Sequence, residues 1–494
     1  MLNKQKKLII IIGVCALVLI LAYFLIVNPL IAKWTAVDEE IPELLPGEVL
    51  GINNRILMFE HIEQAGIQQI EVHNDHGSYT FFRGDDDEFY IKGKESAPYL
   101  KSSLSSLAVS SGYTLSMKRI TTECTDWAQY GLDEASSPAY YTLTTLDGTN
   151  HTVYIGNLIP TGAGYYARYA GRDAVYILEG SLETTLLSSL ESLIEPILCL
   201  PLNQNDYFTV TDFYIKHNGE YKIWIDYTED NGDNNSPSSS FYRMNYPANY
   251  TPSGKYSEIL EAFTYFKGSK TIAVGHELFP LDSELLYEYG IDLSNPAWEL
   301  HFNYSDIDST VYFSELNADG TRYAYSKTFN LLALIDGVST AFLEWDLIEY
   351  VNESIFMLSI NDIAKIDIIS EQCTESFTLV GQDNDLLVTP KSTQNALDAT
   401  DLKNFRQVYK SYIDIELIDY AESTDTSDLL CTLRFETDDG LVFEYKFYPY
   451  STRRCFFTIN GEGEFYVLRD SVEKAISDTI KMLNGEPVES WAKH

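Results

Sequence analysis

Short runs in which apolar and polar residues alternate, separated by turn residues, recur along the chain. Gln68-Gln69-Ile70-Glu71-Val72 and Ser78-Tyr79-Thr80-Phe81-Phe82 alternate at period two, the repeat of a strand with one buried face. Gly84-Asp85-Asp86-Asp87 is a turn, after which Phe89-Tyr90-Ile91-Lys92 returns. The spacing then changes. Leu100, Leu104 and Leu107 recur every three or four positions and predict a helix over residues 97–110. After Tyr130-Gly131 the strand pattern resumes at residues 140–144, 153–155, 165–169 and 174–177, with turns at Asp147-Gly148 and Gly171-Arg172-Asp173. Leu182, Leu186, Leu187, Leu190, Leu193 and Ile194 predict a closing helix.

The same order returns near the C-terminus. Residues 366–369 and 377–379 read as strands, and Asp398 caps a helix running to Tyr412. Two hairpins follow, turning at Asp438-Asp439-Gly440 and at Asn460-Gly461. Val472, Ala475, Ile476, Ile480 and Leu483 form a last helical stripe stopped by Asn484-Gly485. The middle third is less regular. It holds an exposed loop at 230–237, a helix near 256–266, strands at 298–302 and 310–313, and a closing helix over 338–350.

A short phrase marks the repeat. Tyr130-Gly131-Leu132-Asp133 returns as Tyr289-Gly290-Ile291-Asp292, and more loosely as Tyr420-Ala421-Glu422-Ser423. The glycines suggest a backbone with positive φ, which Gly adopts without steric penalty. The pattern therefore predicts an α+β protein of tandem modules. Each has mostly antiparallel sheet and two helices, with modules over 67–202, 203–358 and 359–485 and a tail over 486–494.

Ahead of the modules, residues 8–27 form an uncharged apolar run of 20 residues. A helix of that length spans roughly 30 Å, the thickness of a bilayer's hydrocarbon core. Lys4, Lys6 and Lys7 precede it, while Asp38, Glu39, Glu40 and Glu43 follow. The bias toward positive charge before the run predicts an uncleaved single-pass anchor over 1–33 with a cytoplasmic N-terminus. Residues 34–66 then form a juxtamembrane segment, and the bulk of the chain lies outside the cell. No small-x-small cleavage site follows the run at the distance a signal peptide requires.

Charge narrows the partners. The chain has 34 basic and 73 acidic residues, and four of the basic ones (Lys4, Lys6, Lys7, Lys33) belong to the anchor region. The exterior part thus carries 30 positive against 73 negative charges, a field that repels phosphate backbones and argues against nucleic acid. Of six cysteines, five lie beyond the anchor with no Cys-x-x-Cys spacing, so neither a disulfide framework nor a zinc site is signalled. Cys431 and Cys455 could face each other on paired strands of the last module and form a bridge.

One family resemblance is carried by particular residues. Trp127-Ala128-Gln129-Tyr130-Gly131-Leu132-Asp133, then Gly148, Tyr154-Ile155-Gly156, Gly164-Tyr165-Tyr166-Ala167 and Val175-Tyr176 resemble the DUF4340 domain family, named for its undetermined function. The likeness is good over about 67–200, partial over 205–358 and weak over 359–485, where Ala421 replaces the glycine. Members are often met beside ABC-type transport systems, including the kind linked with gliding motility. The resemblance thus implies an accessory role and supplies no catalytic residues.

Chemical motifs are sparse. Glycine-rich 156–164 leads into strand residues with no Gly-Lys-Ser/Thr, so it reads as a hairpin connection and not as a phosphate loop. Residues 230–235 lack the sixth-position Gly and twelfth-position Glu of a calcium loop, and Asp85-Asp86-Asp87-Glu88 lies in a turn. The eight histidines are dispersed and no nucleophile motif occurs. The expectation is a non-catalytic, membrane-tethered extracytoplasmic protein without a cofactor. Its partners would be the membrane and the permease or ATPase subunits of an ABC-type system. A glycan- or ligand-binding module using aromatic strand faces is the alternative. The residues singled out (Tyr130, Gly131, Asp133, Gly156, Gly164, Tyr289, Gly290 and Asp292) are expected to be structural.

Overall fold

A computed structural model describes residues 41–203, 209–227 and 242–489. The apolar run 8–27 and the polar loop 230–237 lie outside them. Among the described residues no helix is long and apolar enough to cross a membrane.

Three eight-stranded antiparallel sheets make up the fold, and all three have one topology. In the first, strands one to three are Ile67–Asn74, Gly77–Arg83 and Phe89–Ile91. Helix Lys101–Gly112 then carries the chain to the opposite edge, where the fourth strand is Lys118–Thr121. Strands five to eight, Ala139–Thr145, Asn150–Leu158, Gly164–Tyr169 and Val175–Glu179, return as a meander. The spatial order is three-two-one-five-six-seven-eight-four. The second sheet repeats it from Thr211–His217 to Leu331–Asp336, and the third from Ile363–Ser370 to Phe465–Leu468.

Alternation sets the two faces. In the first sheet Ile70, Val72, Phe81, Tyr141, Leu143, Val153, Ile155 and Ala167 point inward, where Leu104, Leu107 and Ala108 of the helix cover them. In the third, helix Ala399–Ile413 is capped by Asp398, whose side chain accepts from the amides of Thr400 and Asp401. It packs on the closing helix Arg469–Leu483. The Ser411 hydroxyl donates to Asp478 across that contact at 2.6 Å, and Tyr412 and Thr479 share a bond of 2.7 Å.

The described residues form two compact units. One comprises residues up to Lys92 together with Lys101–Leu190. The other comprises Gly93–Leu100 with everything from Glu191 onward, and so contains the second and third sheets. Within it the connection between those sheets is strapped down. Ile355 O accepts from the Tyr445 hydroxyl, Leu417 N donates to Glu353 O, and Phe356 stacks on Phe435 at 3.7 Å. The Tyr250 hydroxyl donates to Glu464 at 2.6 Å. Burial raises the Glu464 carboxyl above the ordinary range, with the Tyr250 hydrogen bond opposing. Such a group favours the folded state when protonated. Stability of this unit should therefore decline as pH rises from the unfolded value through the raised folded one. Glu464→Gln should flatten that stretch of the melting-versus-pH curve; an unaltered curve would refute the assignment.

Four expectations need correction. First, the closing segment of the first module is not an α-helix but two 3-10 turns, Gly180–Thr184 and Leu190–Leu193. Hydroxyls compete for its carbonyls: Thr184 and Thr185 donate to Ser181 O, and Ser188 donates to Thr185 O. Second, residues 338–350 are broken into a 3-10 stretch, Gly337–Leu343, and a single helical turn, Leu347–Tyr350. Asp346 and Glu349 restart the backbone there as a capping box. The first module thus has one α-helix and the second has Gly254–Ala262, Ser283–Glu288 and that single turn, so only the third keeps the expected pair of one mid-module and one full closing helix.

Third, Tyr420 ends the edge strand Leu417–Tyr420 and pairs with Phe465, so the loose third copy of the phrase is not equivalent to the other two. Fourth, Cys431 and Cys455 are free thiols. Cys431 pairs with Phe447 and Cys455 with Pro449 on either side of one intervening strand. Two inter-strand spacings of about 4.8 Å put their backbones beyond disulfide reach.

Candidate functional site

The repeated phrase builds a latch over the sheet. In the first module Gly131 has φ +66°, and in the second Gly290 has φ +75°. Leu132 and Ile291 then turn into the protein and are fully buried. Asp133 accepts from the Ser136 hydroxyl, and Asp292 accepts from both the amide and the hydroxyl of Ser294. Each aspartate thus closes the turn that feeds the fifth strand. Tyr130 packs edge-on against Tyr166 at 4.8 Å, and Tyr289 meets Tyr323 in the same way at 4.7 Å.

Gly156 lies beneath this latch. A β-carbon there would sit 2.3 Å from Tyr130 O and 2.9 Å from Gly131 O, so only glycine lets the loop lie down. Gly164 is similarly close to its neighbour, with Leu178 O at 2.1 Å from a β-carbon position. The residues singled out in the sequence are therefore brought together within each module, but as backbone and packing elements with no nucleophile or acid–base pair among them.

Chemistry concentrates instead on the outward faces of the sheets. Across the first sheet, directly paired strand positions place His73, Tyr140, Tyr154 and Arg168 in one row. His73 stacks on Tyr140 at 5.2 Å and Tyr140 contacts Tyr154 at 5.8 Å. The Arg168 guanidinium lies 4.5 Å from the Tyr154 ring and 4.9 Å from that of Trp127, which reaches in from the latch loop. The matching row of the second sheet is Lys216, Glu299, Tyr312 and Tyr325. Its far end is roofed by helix Ser283–Glu288, which forms a small apolar core from Leu286, Ile291, Tyr325 and Leu332. In the third sheet the row is Ile369, Thr432, Lys446 and Thr458. One scaffold thus carries three chemically different rows, with Tyr325 of the second and Thr432 and Thr458 of the third buried.

In the sequence Arg168 is strand material and Trp127 belongs to the family phrase, with no mark of a joint role. The available signal was a lone basic residue inside the aromatic run Tyr165-Tyr166-Ala167-Arg168-Tyr169 of an acidic chain.

A polar concavity of about 290 Å³ lies in the second unit, lined by Lys94, His276, Glu277, Phe279, Lys327 and Asn330 among others. Asn330 shapes it, donating to the carbonyls of His276 and Phe279 and accepting from Leu281 N. Lys94 donates to the carbonyls of Val274 and Gly275, and partial burial lowers its ammonium below the usual value. Glu277 is raised by its hydrogen bond to Glu95.

Two carboxylates of the turn Asp85-Asp86-Asp87-Glu88 are engaged within it or by its flanking strands. Asp86 accepts from the Tyr90 hydroxyl at 2.6 Å and Asp87 faces Arg83 at 3.8 Å. Among the described residues no group of three or more His, Cys, Asp or Glu is arranged to hold a metal ion. The glycine-rich stretch 156–164 joins the sixth and seventh strands as a hairpin. The calcium-loop-like stretch 230–235 lies outside the described residues.

Residues 91–278 match the model of a family described as a domain of unknown function, DUF4340. The match covers less than half of the 494 residues. It opens in the third strand of the first sheet and closes just beyond the edge strand of the second, so it contains the Tyr130 phrase but stops short of Tyr289. No curated protein matches the chain.

Proposed function

Starting from a chain that carries a DUF4340 domain, we propose a non-catalytic, membrane-anchored extracytoplasmic protein that serves as scaffold or accessory to an ABC-type transport or cell-envelope system. The observation that supports this reading most is the threefold use of one sheet topology with a different residue row on each sheet. Repetition with divergent faces multiplies contact surfaces, whereas an enzyme concentrates its groups in one cleft. The uncharged run 8–27 and the lysines before it support the anchored placement.

Placement can be tested with a thiol the structure leaves accessible. Of the five described cysteines, Cys199, Cys373, Cys431 and Cys455 are buried and Cys124 alone is half-exposed. A membrane-impermeant maleimide should label intact cells at Cys124, and Cys124→Ser should abolish the labelling. Labelling that appears only after the cells are permeabilised would overturn the extracytoplasmic reading. Partnership is tested by co-purification in mild detergent, where permease and ATPase subunits should be recovered with the chain. Their consistent absence would remove the transporter reading.

A second reading, binding of an envelope glycan, is favoured by one observation. The His73–Tyr140–Tyr154–Arg168 row lays aromatic rings side by side on an outward sheet face. Selective retention on wall polysaccharide would distinguish it from the first.

A further inference from the structure

The arginines of the first unit differ in how their charge is used. Arg55, Arg83 and Arg119 pair with Glu179, Asp87 and Glu48, and Arg172 donates to Met58 O. Arg168 makes no hydrogen bond or ion pair among the described residues, and its Nε is buried without a partner. It is held only by the faces of Trp127 and Tyr154. Stacking satisfies the plane of a guanidinium but none of its five N–H donors. In so acidic a chain, a guanidinium paired with none of the described carboxylates stands out.

From this geometry we infer that Arg168 and its aromatic row bind the carboxylate of an acidic sugar chain. The inference rests on the glycan reading above and names its ligand class. A guanidinium fork matches a carboxylate through two parallel hydrogen bonds, and the stacked plane is already immobilised, so little freedom is lost when the ligand arrives. The half-exposed rings of Tyr140 and Tyr154 continue the row away from the charge. They offer apolar faces to the sugar rings on either side of the acid. The site belongs to the first sheet alone. At the matching positions the second sheet carries Glu299, which would repel a carboxylate, and a roofed Tyr325, while the third carries Thr458 in place of the arginine. The acidic remainder of the chain opposes anions at long range, so recognition comes from contact and not from steering.

The test is calorimetry on the full chain in mild detergent. The probes are short polygalacturonate oligomers, neutral galactan oligomers of equal length, and inorganic phosphate. The acidic oligomer should bind, Arg168→Gln should weaken it at least tenfold, and Arg168→Lys should recover part of the loss. Arg168 lies on the outward face, so the melting midpoint of each variant should stay at the wild-type value. Trp127→Ala should weaken binding as well and provides an independent variant. Equal binding of acidic and neutral oligomers, or an Arg168→Gln variant that binds as well as wild type, would overturn the inference while leaving the glycan reading standing. Phosphate binding lost in Arg168→Gln, without acidic-sugar binding, would also overturn it in favour of a plain anion site. A wild-type chain that retains neither sugar would remove both readings.

Discussion

Replacing Glu48 by alanine should destabilise the first unit by about 3 kcal/mol or more, the usual consequence of removing one partner from a buried ion pair. The Glu48 side chain is wholly shielded from solvent. It accepts from Arg119, from the amide of Leu45 at 2.6 Å and from the Tyr176 hydroxyl at 2.7 Å. Alanine would take the buried Tyr176 phenol's acceptor away and, among the described residues, leave the Arg119 guanidinium with only the Glu43 carbonyl at 2.7 Å. For a unit of this size the melting midpoint should fall by roughly 6–12 °C. Glu48→Gln keeps an acceptor and should lose less. A Glu48→Ala chain that melts with the wild type would show that the contacts of Glu48 are incidental.

Gly156→Val should be the most damaging single change at the latch, at about 2–3 kcal/mol, because overpacking forces the surrounding backbone to move. The nearest obstacles to its new side chain are the carbonyls of Tyr130 and Gly131, which are backbone and cannot swing aside. Gly148 makes the informative comparison. It sits in a hairpin turn at φ +85° with nothing within 4 Å of a β-carbon position. Gly148→Ala should therefore show only the left-handed strain of about 1–2 kcal/mol. Gly131→Val meets left-handed strain at φ +66°, but its obstacle is the Asn157 side chain, which can swing aside, so its cost should stay below that of Gly156→Val. The ranking Gly156→Val above Gly148→Ala, read from urea unfolding of the full chain, separates crowding from backbone strain. The reverse order would dismiss the latch.

Much of the architecture was legible because its signals are local. Period-two alternation with Asn-Gly and Asp-Gly turns located most strands of the first and third sheets but only Trp298–Tyr304 and Ile307–Phe313 of the second, and Asp398 marked a helix start that the structure places at the next residue. What escaped notice has physical causes. The fourth strand of each module spans only four or five residues, as in Lys118–Thr121 and Leu417–Tyr420, too short for alternation to show. Its identity depends on pairing with the eighth strand, a contact made across the whole module. The leucine spacing over 182–194 satisfied a helical template, yet hydroxyl side chains that bond their own turns decided otherwise. The latch glycines could be found because they repeat. Arg168 is marked in the sequence only as a lone basic residue in an aromatic run, and its lack of a partner among the described carboxylates is a property of three dimensions.

The Glu48 contacts also bound how far the first sheet can roam. They pin Leu45–Glu48 to that sheet, leaving only residues 28–44 between it and the end of the apolar run. At roughly 3.5 Å per residue, seventeen residues span no more than about 60 Å. If the run lies in a bilayer, as proposed, that length sets the greatest separation of the first sheet from the lipid headgroups.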